Sequence, residues 1–240
     1  MTEGEQYSDL AVRLLLASPK VTPFNKLRYL VGIATGVRDG ELFGLRWQGV
    51  MLEAEIPFVR IRLALALSGY DGPNTLQDRK TEDSVRDIPL HPRVVEALRW
   101  WWSQGWVQWV GRHPTGDDFV FPNLEGVPCR RRSAEDLRND LVLAGASPTF
   151  EGHNITIHAL RRTFSTWLDS YPEAHLVKKD LMWDADKDSD RSHYAATSVE
   201  RKQRAVNSMP IPATAAEITN DAVSLEQAAT DGSDNSRKAS

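Results

Sequence analysis

One stretch near the N-terminus carries signals for both ends of a helix, and it constrains the fold more than any other feature of the chain. Thr22-Pro23 joins an N-cap residue to a proline at the first helical position. Gly36 is the residue type that most often ends a helix. The pattern predicts a helix over 23–35 and a second, short helix over 39–45. The backbone must therefore turn sharply at 36–38.

The remaining pattern is mostly helical and is interrupted by a small sheet. Residues 57–68 and 85–90 are rich in β-branched and aliphatic side chains, and the DGPN sequence at 71–74 is typical of a turn. These segments predict an antiparallel pair joined by a loop around 70–83. Further helices are predicted over 6–17, 91–102, 133–144, 156–168, 172–182, 189–196 and 198–208, and a short strand over 119–122. The predicted fold class is mainly α with a small antiparallel β-sheet (α+β).

Three tryptophans lie at helical spacing in the middle of the chain. Trp102, Trp106 and Trp109 occupy positions i, i+4 and i+7, so a single helix would place them on one face. Such a face is typical of core packing or of a surface for a partner.

Composition excludes several classes of protein. A chain of 240 residues is long enough to bury its own core. The one cysteine, Cys129, excludes an internal disulfide and a zinc site built on paired cysteines. No apolar run approaches the roughly 18 residues of a membrane span, and the acidic, polar start is not a secretory signal. We therefore expect a cytoplasmic protein that has no contact with a membrane.

The charge is unevenly distributed along the chain. The formal net charge is −4, of which residues 213–240 carry −3 and the rest carries −1. A nearly neutral body can still hold a local basic site. The last residues are rich in Ala, Thr, Ser and Asp and poor in large apolar side chains. We expect one domain over 1–210 and a disordered tail over 211–240.

Two short segments carry residues suited to binding an oxyanion. Arg38 lies in the turn between the two predicted helices, with Glu41 three residues later to hold it from behind. His158 and Arg161 are three residues apart on a predicted helix, so an imidazole and a guanidinium share one face. That pair suits a phosphate with a proton to move. Taken singly, Arg38 could be a surface arginine, and the His158–Arg161 pair could serve only solubility.

Two further residues are ordinary when each is considered alone. Lys80 lies on the loop that leads to the second strand, where a lysine is normally solvated. Tyr194 follows His193 late in the chain, where a tyrosine is usually a packing residue.

Taken together and in this order, these features resemble one family, the tyrosine recombinases or phage-type integrases. The resemblance spans roughly residues 5–205. It rests on TGVRDGEL at 35–42, KT at 80–81 followed by SVRDIPL at 84–90, FVF at 119–121, HALRRTF at 158–164 and Tyr194. The combination is specific, although no single part of it is.

The resemblance implies a fold, an activity and a role for each residue. The fold would be that of a tyrosine recombinase catalytic domain. Tyr194 would attack a DNA phosphodiester and form a 3′-phosphotyrosyl bond. Arg38 and Arg161 would hold the non-bridging oxygens, Lys80 would protonate the leaving 5′-hydroxyl, and His158 would assist proton transfer. No metal is implied, because two guanidinium groups can stabilise the transition state without one. No cofactor is implied, because the covalent intermediate conserves the energy of the broken bond and rejoining needs no ATP.

The resemblance also implies partners. These are double-stranded DNA, further copies of the chain in a homo-oligomer (a tetramer) on that DNA, and accessory DNA-bending proteins. Basic residues that could contact the DNA backbone, as an alternative to a solvated surface, are Arg130, Arg131, Arg132, Lys178, Lys179, Arg201, Lys202 and Arg204.

The segment between the last two site positions departs from the family pattern. Trp183 stands where the family usually has a histidine, and its indole N–H can still donate a hydrogen bond; a tryptophan of the core is the alternative. An aspartate-rich segment, 184–190, then lengthens the interval to Tyr194 by about two residues. Its alternation resembles the start of a calcium loop but lacks the required glycine and glutamate. We expect a solvated loop that faces away from DNA.

The resemblance implies that this sequence would begin at the catalytic domain, whereas the family usually has an N-terminal helical domain that closes around DNA. Half of the phosphate contacts would then be missing. A truncated or degenerate integrase remnant, acting only as a weak DNA-binding or protein-interaction module, is therefore the main alternative function. A type IB topoisomerase-like enzyme, which shares the chemistry, is a third.

Overall fold

The structure, a computed structural model, describes residues 9–66, 75–78, 85–128, 133–182, 197–212 and 217–218. Helices dominate these ranges, as the sequence predicts. They are α1 (Asp9–Ala17), α2 (Pro23–Thr35), α3 (Asp39–Gly44), α4 (Pro92–Trp100), α5 (Trp106–Val110), α6 (Ser133–Leu143), α7 (His158–Leu168), α8 (Ala174–Met182) and α9 (Val199–Asn207), with a 3₁₀ turn at Trp47–Gly49 and a π-helical turn at Trp101–Gly105.

The strands of the described ranges are short and pair antiparallel. They are β1 (Val50–Met51), β2 (Phe58–Ile61), β3 (Leu63–Ala66), β4 (Thr75–Asp78), β5 (Arg86–Pro89), β6 (Thr149–Phe150) and β7 (His153–Asn154). The main sheet has the order β1-β2-β5, and Val59 lies opposite both Val50 and Ile88. The pair β3-β4 and the pair β6-β7 form separate two-stranded sheets. The predicted fold class is confirmed.

The first helix pair follows its local signals closely. The Thr22 hydroxyl caps α2 by accepting the backbone N–H of Asn25 at 3.3 Å. Gly36 ends the helix in the left-handed conformation, with φ +63°, which costs glycine little. α3 then begins at Asp39, as predicted, so the turn at 36–38 is fixed from both sides.

The predicted loop around 70–83 is in part a strand. β4 pairs with β3 in register from Leu63 opposite Asp78 to Ala66 opposite Thr75. The Gly-Pro sequence at 72–73 signals a break between two strands, but the polar TLQD sequence of β4 has no apolar alternation that would mark it as one.

The predicted tryptophan face forms only in part, because Trp102 does not share it with Trp106 and Trp109. A π-helical turn at Trp101–Gly105 inserts an extra residue into the repeat and rotates the next helix, α5, about its axis. Trp106 is therefore fully buried, while Trp102 is 39% exposed and Trp109 packs at the margin of the core. Gly105 allows the close packing of this turn, because a Cβ there would lie 2.3 Å from the Trp101 ring.

The segment 119–122 is not a regular strand, although it is extended enough to make isolated bridges at both ends. Three indole N–H groups satisfy its carbonyls in place of a neighbouring strand. Trp101 donates to Val120, Trp106 to Phe119 and Trp109 to Pro122, at 2.8–3.0 Å. These tryptophans thus fix a loop of the core.

The packed domain extends beyond the expected boundary at residue 210. Ile211 is 4% exposed and Ile218 is completely buried within the core cluster. The ammonium of Lys26 donates to the Glu217 carbonyl at 3.2 Å, and Arg93 donates to the Ile211 carbonyl. The expectation of a tail starting at 211 is therefore wrong for these residues. Ile211 and Ile218 supply apolar surface for this packing, although the segment 211–240 is polar on average.

No helix in the described ranges is long and apolar enough to cross a lipid bilayer.

Candidate active site

The Arg38 turn is the first element of the site. Arg38 precedes α3 with an extended backbone, and its side chain is 44% exposed. Glu41, one turn into α3 and 1% exposed, accepts the Arg38 backbone N–H at 2.9 Å. Its other oxygen lies 3.6 Å from Arg38 Nη1. Glu41 therefore holds both ends of Arg38, as the spacing predicts.

Arg161 reaches this turn from α7. The residue is 3% exposed, and its Nη1 donates to the carbonyl oxygen of Gly36, two residues before Arg38. Its Nη2 donates to the carbonyl oxygen of Met182, the last residue of α8. The structure thus brings together the two arginine-bearing segments, which lie 125 residues apart in sequence.

Two glycines, Gly32 on α2 and Gly36 immediately after it, make this approach possible. A Cβ on Gly32 would lie 3.0 Å from the Leu160 side chain, and one on Gly36 would lie 2.3 Å from the Phe164 ring. Leu160 and Phe164 are buried on α7 and flank Arg161 along the same helix. The apolar face of α7 thus packs closely on the end of α2, and this packing fixes the position of Arg161 relative to the turn at 36–38.

His158 is the first residue of α7 and is exposed. It lies one turn before the buried Arg161, on the same side of the helix. An exposed imidazole beside a buried guanidinium is accessible to an incoming ligand.

Arg86 is a functional candidate that the sequence interpretation missed. It lies on β5, 7% exposed, and its Nη2 and Nη1 donate to the two carboxylate oxygens of Glu41 at 2.7 and 3.4 Å. Its Nε donates to the Leu181 carbonyl at 2.8 Å. Side chains alternate along a strand, so the RDIPL sequence places Arg86 on the same inward face as Ile88. This alternation does not identify Glu41 as the partner of the buried Arg86.

Three of the predicted site residues lie outside the described residues: Lys80, Trp183 and Tyr194. The same holds for Arg130, Arg131 and Arg132 and for the aspartate-rich segment 184–190. Their predicted roles stay predictions. Met182, which accepts from Arg161, is covalently joined to Trp183.

Most of the remaining basic residues predicted to contact DNA are paired with acids. Lys178 pairs with Asp169, Arg201 with Glu173, and Lys202 with Asp180 at 3.5 Å. Such surface pairs contribute little to stability, but they neutralise positive charge that DNA would otherwise meet. Arg204 and Lys179 are exposed.

A cleft of about 390 Å³ opens between the end of α3 and β2. Its lining residues include Glu41 and three arginines, Arg46, Arg60 and Arg62. Arg60 is held by Asp87 in a bidentate pair at 2.8 Å, and Arg46 lies over the Phe119 ring. Within the described ranges, no group of His, Cys, Asp and Glu side chains is arranged to hold a metal ion.

Comparison with solved structures places this fold among recombinases. A structure of the Tn1549 transposon integrase with a circular intermediate DNA matches 85% of this chain at 19% identity, with a TM-score of 0.62. The integrase from mycobacterium phage Brujita matches 91% at 20% identity, with a TM-score of 0.57. The XerH recombinase bound to difH matches 80% at 19% identity, with a TM-score of 0.54.

The chain covers only part of each of these proteins: 65% of the Tn1549 integrase structure, 64% of the Brujita integrase and 51% of XerH. At these identities the likeness establishes the fold alone. A search of curated proteins finds no significant match.

A family model settles the membership that the motifs predict. The model of the phage integrase family matches residues 11–186, nearly three quarters of the chain. The match includes the Arg38 turn, β5 with Arg86, and the helix that carries His158 and Arg161. This chain therefore belongs to the phage integrase family.

Proposed function

We propose that this chain is the catalytic domain of a site-specific DNA recombinase that cleaves and rejoins strands through a 3′-phosphotyrosyl intermediate. The observation that supports this best is the hydrogen bond from Arg161 to the Gly36 carbonyl. It joins the two segments whose arginines would have to act on one phosphate. Membership of the phage integrase family supports the same activity.

The two arginines would stabilise the transition state. A pentacoordinate phosphoryl group gains negative charge on its non-bridging oxygens, and two guanidinium groups supply preorganised donors at that point. Glu41 and the Gly36 carbonyl fix the approach of Arg38 and Arg161 before any substrate arrives. Removal of one such donor typically lowers a rate by about 10²–10³.

The transfer itself would exchange one phosphoester bond for another. The Tyr194 oxygen forms a bond to phosphorus as the bond to the 5′-oxygen breaks. His158 takes the phenolic proton, Lys80 protonates the departing 5′-oxygen, and the indole N–H of Trp183 donates to the phosphate. Attack by a 5′-hydroxyl on the phosphotyrosine reverses each step, so rejoining requires no external energy source.

Double-stranded DNA is the proposed substrate, bound by a tetramer of this chain with accessory DNA-bending proteins, in the cytoplasm. Structures of two matched relatives contain DNA: a circular intermediate DNA with the Tn1549 integrase, and difH with XerH.

A covalent trap with randomised DNA tests the proposal for any target sequence. The probe is a pool of duplexes that carry a nick at a fixed position with randomised flanking sequence. Cleavage beside the nick releases a short fragment, which prevents rejoining and leaves the protein attached. We expect a DNA adduct that survives denaturing electrophoresis, is absent in the Tyr194→Phe variant, and maps to Tyr194 by peptide mass spectrometry.

The other outcomes separate the alternatives. Binding to the pool with no adduct over long incubation would contradict the proposal and indicate a remnant that only binds DNA. Relaxation of a supercoiled plasmid with no strand exchange between two duplexes would indicate the topoisomerase-like enzyme.

A further inference from the structure

A buried arginine outside the predicted catalytic set is tied to the site at two places. Arg86 and Glu41 form a bidentate pair in which the side chains are only 5% and 1% exposed. Burial of an ion pair is costly, and an apolar pair of similar size is often at least as stable. Stability alone therefore does not account for this pair, and its geometry is the more informative property.

The first tie leads to the Arg38 turn. The Glu41 oxygen that receives Arg86 Nη2 also accepts the Arg38 backbone N–H, at 2.7 and 2.9 Å respectively. One carboxylate thus fixes the start of α3 and is itself fixed by Arg86. A movement of Arg86 would be transmitted to Arg38 through a single side chain.

The second tie leads to the end of α8. Carbonyls in the last turn of a helix have no partner within the helix, and cations are favourable there. Arg86 donates to the carbonyl of Leu181, and Arg161 donates to the next carbonyl, of Met182. The last two residues of α8 are thus each held by a buried guanidinium, immediately before the chain continues to Trp183.

We propose that Arg86 is a positioning residue that sets the Arg38 turn and the end of α8 at a fixed separation. It acts in parallel with Arg161, which joins Gly36 to Met182. The two arginines define where the chain leaves α8 towards Trp183 and Tyr194 relative to Arg38. This inference rests on the proposed function, because it assigns the coupling to phosphoryl transfer.

The discriminating variant is Arg86→Lys. An ammonium compensates the buried Glu41 charge but is a single point donor, so it cannot make the bidentate pair and also reach Leu181. The matched control is Arg112→Lys, which breaks a bidentate pair with Asp118, at 2.8 and 2.6 Å, on an exposed surface.

The first measurement is the single-turnover cleavage rate with saturating nicked duplex, together with the Kd for that duplex. We expect Arg86→Lys to cleave at least tenfold more slowly with a Kd within about threefold of the unaltered chain, since a small misplacement of reacting groups can cost about 10²-fold. Arg112→Lys should match the unaltered chain in both. Equal cleavage rates in both variants, below their unfolding temperatures, would overturn the proposal.

The second measurement, hydrogen exchange in the absence of DNA, does not depend on activity. We expect Arg86→Lys to accelerate exchange at 38–42 and in the last turn of α8 together, and Arg112→Lys to change neither. Exchange that rises at only one of the two places would overturn the coupling. If the unaltered chain cleaves nothing while exchange rises at both, the coupling stands and the proposed function is what fails.

An apolar pair keeps the test decisive if Arg86→Lys does not fold. The double variant Arg86→Met/Glu41→Leu replaces the buried ions by residues of similar volume, a change that folded proteins usually tolerate. We expect it to bind the nicked duplex and to cleave it at least tenfold more slowly. Cleavage at the unaltered rate would overturn the proposal.

Discussion

The Phe164 ring occupies the space beside Gly36 that any larger residue would need: a Cβ at position 36 would lie 2.3 Å from Phe164 Cδ1. The same glycine has φ +63° and accepts a hydrogen bond from Arg161 through its carbonyl. Backbone conformation, packing and the candidate site thus meet at one residue.

Gly36→Ala should therefore be strongly destabilising. The left-handed backbone and the contact with Phe164 together should lower the free energy of unfolding by about 2–4 kcal/mol. Gly111→Ala is the control, because Gly111 has φ +85° but nothing within 4 Å of its Cβ position; it should lose only about 1 kcal/mol. Urea unfolding measures both. Equal losses would show that packing against Phe164 contributes nothing.

The Arg38→Lys and Arg161→Lys variants should differ in their free energies of unfolding but lose cleavage activity to a similar extent. The Arg38 side chain is 44% exposed and lies 3.6 Å from Glu41 in an ion pair, so Arg38→Lys should change the free energy of unfolding by less than about 1 kcal/mol. Arg161→Lys removes a buried donor from two carbonyls and should cost about 1–3 kcal/mol. Both should lower the cleavage rate by about 10²–10³. An active Arg161→Lys variant would contradict the assignment.

His91 should make the domain sensitive to mild acid. Its Nδ1 caps α4 by accepting the Arg93 backbone N–H at 3.2 Å. Burial, followed by the nearby Arg93 charge, lowers the pKa of His91. The unfolded chain therefore takes up the proton first, and the stabilisation is complete above the usual pKa near 6.5 and declines as pH falls through the lowered one.

His91→Asn tests this dependence, because asparagine also caps a helix but does not titrate. We expect thermal unfolding of the variant to be less dependent on pH between about 7 and 5. His91→Ala, which removes the cap, should be less stable by about 1 kcal/mol at pH 7. A His91→Asn variant with the pH profile of the unaltered chain would assign the effect to another group.

The end of the packed domain can be located by truncation. Deletion of 213–240 removes the buried Ile218 and the Glu217 carbonyl that Lys26 contacts. We expect a loss of stability close to that of Ile218→Ala, about 2–5 kcal/mol. Deletion of 219–240 should leave the unfolding temperature unchanged, as the polar composition predicts. If deletion of 213–240 does not change the stability, the folded domain ends near residue 210, as the composition predicts.

Local signals account for the part of the fold and the site that the sequence could predict. The N-cap at Thr22, the glycine at 36 and the spacing from Arg38 to Glu41 act within a few residues, and the structure shows each of these features. The three-residue spacing also placed His158 and Arg161 on one helix. Patterns of this kind depend on neighbours in the chain and are readable without a fold.

The features that the sequence could not predict depend on distant partners. Arg86 contacts Glu41 and Leu181, which lie 45 and 95 residues away, and no local pattern specifies such a pairing. Ile218 likewise lies in a core cluster that includes distant residues of α2, and Lys26 contacts the neighbouring Glu217 carbonyl. The π-helical turn at 101–105 is a local feature, but the tight packing of Gly105 against two tryptophans becomes apparent only in three dimensions.

The indole contacts to 119–122 have a consequence for the order in which the molecule assembles. They close loops of only 13 to 19 residues, whereas the contact of Arg161 with Gly36 closes one of 125. Loop-closure entropy alone disfavours the longer closure by about 2 kcal/mol. The contacts of these tryptophans with 119–122 are therefore expected to form early in folding, and the contact of Arg161 with Gly36 near its end. During synthesis on a ribosome, the Gly36 carbonyl cannot accept its hydrogen bond from Arg161 until α7 has emerged.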